Sequence, residues 1–353
     1  MSDSTATSSR ITDVETLHYY LNAAMQLEHA TIPPYLTALY SIHANTNLDA
    51  TTVIRVVAVE EMLHLTLAAN VFNAVGGDPN LVAPDFVPAY PAFLPDGETD
   101  FQVSRAPLSR EAIETFLQIE RPDPKPQDET RTLDHNAERH VLATPQGTMR
   151  YFSIGDFYEE IERGLRGLHT DMGDALFCGD PARQATSEYY YSGGAEIVPV
   201  TDLESAIEAL RIIGEQGEGA GGRIYDYEGE LAHYYRFQQL LLGRYYQAGD
   251  TAGEPTGPAV DVDWDAVYPV KPDISVADLA DAPELQAAAI AFNEDYAGFL
   301  RLLTDAYTGK PELLIDAVVG MFRLREGMVK LIRNPIPGTD FHAGPTFEMG
   351  VTA

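Results

Sequence analysis

The sequence predicts an all-α protein: a four-helix bundle with loop insertions and a C-terminal helical hairpin. Apolar residues recur at helical spacing over long stretches, as in Leu17, Leu21 and Ala24, or Val57, Ala68 and Val71. Ser153-Ile-Gly-Asp156 and Thr201-Asp-Leu-Glu204 read as capping boxes opening helices. Glu61-Met-Leu-His64 and Glu230-Leu-Ala-His233 repeat one device, Glu-x-x-His, inside helix-like stretches. Residues three apart on a helix share a face, so each copy aims a carboxylate and an imidazole at one point. Two copies, with inward glutamates on two further helices, make the ligand set of a dinuclear site in a bundle.

The elements follow in order. The first ten residues are small and polar and read as a loose tail. Helix one runs from Thr12-Asp13 to Pro33-Pro34, striped by Leu17, Leu21, Ala24, Glu28 and Thr31. The two prolines remove two donors and predict a kink or break. A helix from about Asp49 to Val75 stops at Gly76-Gly77, with Pro79 beyond. Residues 78–108 read as irregular chain over the bundle, 109–120 as a short helix, and the stretch from Pro122 to Gln146 as an exposed insertion. Ser153 opens a helix to about Asp171, 175–200 is irregular, and a further helix from Thr201 ends in the glycine cluster Gly214–Gly222. The fourth bundle helix is placed at about Arg223–Tyr246. After a Pro/Gly/Asp linker at 248–275, helices at 283–307 and 310–333 form the hairpin, stopped by Pro335 and Pro337. The expected units are 11–250, 251–335 and an irregular tail, 336–353.

Composition narrows the function. A net charge of −31, from 54 acidic and 23 basic residues, repels phosphate backbones and anionic membranes, so neither nucleic acid nor membrane is an expected partner. The single cysteine, Cys178, excludes an intramolecular disulfide and suits a reducing compartment. The polar N-terminus has no signal-peptide core, and no run of about 18 apolar residues exists to span a bilayer, so the expected location is cytoplasmic. No nucleophile elbow and no glycine pattern after a strand point to hydrolase or nucleotide chemistry.

The expected metal ligands are Glu28, Glu61, His64, Glu162, Glu230 and His233. Glu61 and His64 stand in a core-spaced row, and burying a carboxylate costs several kcal/mol unless it is paired or metal-bound. On the third bundle helix Glu162 lies nearest the apolar stripe, with Glu159 the second choice and Glu160 on the far side. Glu60 competes for the site if its helix is rotated. Carboxylate and imidazole together suit two divalent metal ions, iron first and manganese second, with zinc compatible. Tyr35 and Tyr158, with Tyr227, are candidates to tune the site or carry an electron, although buried hydrogen-bonding tyrosines are the commoner case. His29, His43, His135, His140 and His169 read as surface residues.

Leu27-Glu-His-Ala-Thr-Ile-Pro-Pro-Tyr35, Glu60-Glu-Met-Leu-His64 with Asn70 and Gly76-Gly77, and Glu230-Leu-Ala-His-Tyr-Tyr-Arg236 resemble the ferritin-like family found in iminophenylpyruvate dimer synthases. Ser153-Ile-Gly-Asp-Phe-Tyr158, Gly214-Glu-Gln-Gly-Glu-Gly219 and Gly344-Pro-Thr-Phe-Glu348 are similar to further family segments. The resemblance implies a ferritin-like bundle with Glu28, Glu61, His64, Glu230 and His233 as metal positions, and Glu162 through the Ile-Gly-x-Phe-Tyr start of its helix. Those synthases couple two imines derived from an aromatic amino acid. The implied function is a dinuclear-metal oxidase or oxygenase acting on a small aromatic or amino-acid-derived metabolite. The alternatives are metal handling (ferroxidase or peroxide scavenging) and a non-catalytic, metal-stabilised partner in a biosynthetic assembly. The insertions and hairpin oppose a storage cage; the oligomeric state is otherwise open.

Overall fold

The computed structural model describes residues 10–96, 100–122, 142–144, 147–149, 151, 153–190, 197–219, 223–226 and 228–350. Helix α1 spans Val14–Ser41, capped by Asp13, whose side chain accepts from the Thr16 amide. It continues through Pro33 and Pro34 instead of breaking there. The reason is local. Pro34 lacks the N–H that would satisfy the Ala30 carbonyl, and Tyr90 from the following loop donates its hydroxyl to that oxygen at 2.7 Å. Thr37 Oγ1 bonds the Pro33 carbonyl in turn, at 2.7 Å.

Helix α2 spans Leu48–Ala74 and lies antiparallel on α1 through a shared apolar seam. Gly76 ends it with φ +79°, where a Cβ would also meet Cys178 Sγ at 2.9 Å. Helix α3 (Arg110–Ile119) is capped by Ser109, and α4 (Ile154–Met172) by Ser153. A two-stranded hairpin, β1 (Leu142–Thr144) and β2 (Gly147–Met149), begins in the stretch read as an insertion and ends just beyond it.

Two expectations for the next helices are corrected. Helix α5 (Leu203–Glu218) is boxed by Asp202 and Ser205 rather than by Thr201 and Glu204. It continues through Gly214 and Gly217 to Gly219, which has φ +89°. The helix expected over 223–246 is only α6, His233–Leu242. Upstream, the chain folds back on itself. Asp226 N donates to the Glu230 carbonyl at 2.8 Å, Ala232 N to the Ile224 carbonyl at 3.2 Å, and Gly229 supplies the turn with φ +85°. The Asp226 side chain accepts from the Glu230 amide at 2.8 Å, a bond that competes with helix.

The four bundle helices are therefore α1, α2, α4 and α5, with α3 and α6 packed together beside α2. Helices α7 (Pro283–Tyr307) and α8 (Leu313–Ile332) form the C-terminal hairpin against α1 and α2. Phe292, Leu300 and Leu331 of the hairpin join the same apolar cluster as the bundle core. Among the described residues, no helix is long and apolar enough to cross a membrane.

Candidate metal centre

Five buried side chains converge between α1, α2, the end of α3 and the start of α6: Glu28, Glu61, His64, Glu120 and His233, each no more than 3% exposed. They form two triads, Glu28–Glu61–His64 and Glu61–Glu120–His233, with ligand atoms in each triad within 4.8 Å of one another. Glu61 belongs to both. His64 Nδ1 lies 3.4 Å from Glu28 Oε2 and 3.9 Å from Glu61 Oε1. His233 Nδ1 lies 3.0 Å from Glu61 Oε1 and 3.4 Å from Glu120 Oε2. The two imidazoles stack with centroids 5.4 Å apart.

Each imidazole is oriented from behind. His64 Nε2 is 2.8 Å from Gln216 Oε1 on α5, and His233 Nε2 is 2.8 Å from Glu60 Oε2, with Arg236 at 3.5 Å from that carboxylate. Amide and carboxylate oxygens only accept, so each Nε2 donates to its partner and each Nδ1 faces the carboxylates. His233 Nδ1 is buried without a hydrogen bond, despite its closeness to Glu61. Nδ1 and carboxylate oxygens this close call for a cation between them: the proton of a raised imidazole, or a metal ion that displaces it. This donor set fits divalent metal.

The remaining contacts anchor the carboxylates. Tyr158 on α4 donates to Glu28 Oε1, Tyr35 on α1 donates to Glu120 Oε1 at 2.5 Å, and Thr31 donates to Glu61 Oε2 at 3.2 Å. Burial, together with the neighbouring carboxylates, pushes both tyrosines well above their usual range, so they remain neutral donors. Burial and the charges of Glu120 and Glu28 push Glu61 up to about 8. Burial alone would lower both histidines, but the facing carboxylates outweigh it and hold His64 and His233 raised. Glu60 goes the other way: burial is outweighed by His233 and Arg236, and it stays ionised. Tyr35, Phe116 and Phe237 wall the Glu120 side, with ring centroids 4.6–5.2 Å apart.

Two expected ligands lie elsewhere. Glu162 pairs with Arg166 at 2.7 Å on the outer side of α4, and Glu159 pairs with Arg163 at 3.3 Å and is 63% exposed. The inward position of α4 is held by Tyr158 instead. Glu230 is 67% exposed and sits 3.6 Å from Arg236. It precedes α6 in the back-folded turn, so the helical three-residue relation to His233 does not exist. The carboxylate that joins Glu61 in facing His233, where Glu230 was expected, is Glu120, at the C-cap of α3. Its signal was the stripe Ile113, Phe116 and Glu120, at i, i+3 and i+7. His29 is buried rather than superficial: it meets Tyr296 Oη at 2.5 Å, and burial lowers it to about 4. Tyr227, His135 and His140 lie outside the described residues.

A family model described as Ferritin-like matches residues 21–242. Dichlorochromopyrrolate synthase of Lentzea aerocolonigenes is 25% identical over an alignment of 324 residues that covers 83% of this chain and 29% of that protein. The chain thus spans less than a third of that relative's length. The crystal structure of a ferritin-like protein from Caulobacter vibrioides superimposes with a TM-score of 0.63 at 23% identity, covering 95% of this chain and 99% of that one. That likeness shows a common fold.

Proposed function

This chain belongs to the Ferritin-like family, and we propose that it is a dinuclear-metal oxidase or oxygenase acting on a small aromatic or amino-acid-derived metabolite. The observation that carries the reading is the pair of buried triads sharing Glu61, with both Nδ1 atoms turned inward. Glu28, Glu61 and His64 would hold one ion and Glu61, Glu120 and His233 the other, with Glu61 between them. A bound pair of iron or manganese ions would supply the electrons needed to reduce O₂. The protein's own contribution is placement. Tyr158 and Tyr35 hold the outer carboxylates, Gln216 and Glu60 fix the imidazoles, and burial keeps bulk water from the ligands.

The substrate class rests on the resemblance to iminophenylpyruvate dimer synthases and on a relative named as a dichlorochromopyrrolate synthase. Because the chain spans 29% of that relative, the dimerising reaction is not carried over. The test is oxygen uptake by the iron-loaded protein with aromatic amino acids and their imine or 2-oxo derivatives. Substrate-dependent uptake, absent in Glu61→Ala, supports the reading. Uptake driven by Fe(II) or peroxide alone would favour the second reading, metal handling, which the near-complete burial of all five ligands suits because only small reactants need enter. Metal that raises heat stability without any oxygen uptake would make the protein a non-catalytic partner in an assembly.

A further inference from the structure

The outer face of α8 is unlike the rest of this acidic surface. Ile315, Val319 and Phe322 stand on it at i, i+4 and i+7, and are 54%, 60% and 61% exposed. The opposite face, with Leu314, Ala317, Leu324, Met328 and Leu331, is buried on the hairpin and core. Three large exposed apolar side chains in one row mark a surface that meets a partner. Beside the row, α7 and α8 leave a groove of about 440 Å³ lined by Gly298, Phe299, Leu302, Val319 and Gly320 together with the charged Glu294, Asp295, Asp316 and Arg323. Gly320 lets the Phe299 ring lie against α8, where a Cβ would meet it at 2.9 Å, and the space beside Gly298 is empty to 4 Å.

The charges say what the partner is. Among the exposed residues, the first half of α8 carries Glu312 and Asp316, and the second half and its end carry Arg323, Arg325, Lys330 and Arg333, with Glu326 the one acid of α8 among them; α7 adds Glu294 and Asp295 in the same groove as Arg323. Among the described residues Asp316, Arg323 and Lys330 make no ion pair within the chain. A face that is acidic at one end and basic at the other complements itself when a two-fold rotation sets it antiparallel to its copy. A wholly acidic partner, or an anionic lipid surface, would be repelled by the first half. Elsewhere two chains of net charge −31 repel one another, so the mixed face stands out as a place where they can meet.

We propose that the α7–α8 face is the two-fold interface of a homodimer. Helix α8 packs antiparallel on α8 of the second copy, and Phe322 of each copy enters the groove beside Gly298 and Gly320 of the other. This inference is independent of the metal centre.

The experiment is sedimentation velocity on the full chain over a concentration series. Wild type is expected to dimerise, and Phe322→Asp to be monomeric with an unchanged helical circular-dichroism spectrum. Two charge variants then test the orientation. The first, Glu312→Lys with Asp316→Lys, makes both halves basic; the second, Arg323→Glu with Lys330→Glu, makes both acidic. Each alone should dimerise at least about tenfold more weakly, and their mixture should regain dimer, because opposite signs then meet at both ends. A monomeric wild type, a dimer indifferent to Phe322→Asp, or a mixture no better than its separate components would each overturn the proposal.

Discussion

Glu60 Oε2 lies 2.8 Å from His233 Nε2, so one of the two inward-facing imidazoles is backed by a full negative charge. Its counterpart, His64, is backed at the same 2.8 Å by the neutral amide of Gln216. A carboxylate behind an imidazole makes the ring a stronger ligand than an amide does. Under the proposed function the two metal positions would therefore be unequal, with the His233 position the tighter. In an anaerobic Mn(II) calorimetric titration, Glu60→Gln should weaken one of two equivalents by roughly 10–100-fold and leave the other in place. Gln216→Glu should narrow the gap from the other side. Two equal sites in wild type would contradict the asymmetry.

Tyr90 and Pro34 form a separable pair. Tyr90→Phe leaves the Ala30 carbonyl buried without its donor and should cost about 1–3 kcal/mol in urea unfolding. Adding Pro34→Ala restores a backbone N–H to that carbonyl, so the double variant should recover much of the loss. Additive effects would show that the hydroxyl does not stand in for the missing amide.

Tyr158→Phe and Tyr35→Phe remove the hydrogen bonds to Glu28 and Glu120. Each should lower the stability of the metal-free protein by about 1–3 kcal/mol and make metal uptake less complete, since a buried carboxylate loses a neutral hydrogen-bond donor. Thermal melts with and without metal would read both effects. Unchanged melts in both states would reduce these tyrosines to packing.

Much of this centre was legible in the sequence because α1 and α2 are long and regular. Over helices of that length the apolar period points Glu28, Glu61 and His64 inward, with only Glu60 left in competition. The rest was hidden by chain geometry. Glu120 caps a short helix beside Pro122, with no imidazole three residues away to advertise it. Glu230-Leu-Ala-His233 has helical spacing, yet Asp226 and Gly229 turn the chain back before the helix begins. On α4 the apolar stripe already contained Tyr158; expecting one carboxylate per helix drew attention to Glu162, which faces solvent and Arg166. The continuous α1 could not be read at all, because the donor that spares it comes from Tyr90, remote in sequence.

Acid should loosen the entry to the hairpin. Asp278 is lowered to about 2 by Lys271, whose ammonium bonds it at 2.6 Å, and by the Ser275 amide. Its folded value lies below the 3.8 of an ordinary aspartate, so its contribution is complete above about pH 4 and fades as pH falls toward about 2. The pair is exposed, and solvent screening limits the effect to no more than about 1 kcal/mol. Urea midpoints measured down that range should fall less steeply in Asp278→Asn than in wild type; parallel curves would remove the pair from the account.

The most direct measurement is metal content by mass spectrometry after anaerobic iron loading of wild type, Glu61→Ala, Glu120→Ala and Glu230→Ala. The account predicts two ions per chain in wild type and in Glu230→Ala, a loss of at least one in Glu120→Ala, and the greatest loss in Glu61→Ala, whose carboxylate serves both positions. Two ions retained in Glu61→Ala, or none in wild type, would contradict a dinuclear centre built on Glu28, Glu61, His64, Glu120 and His233.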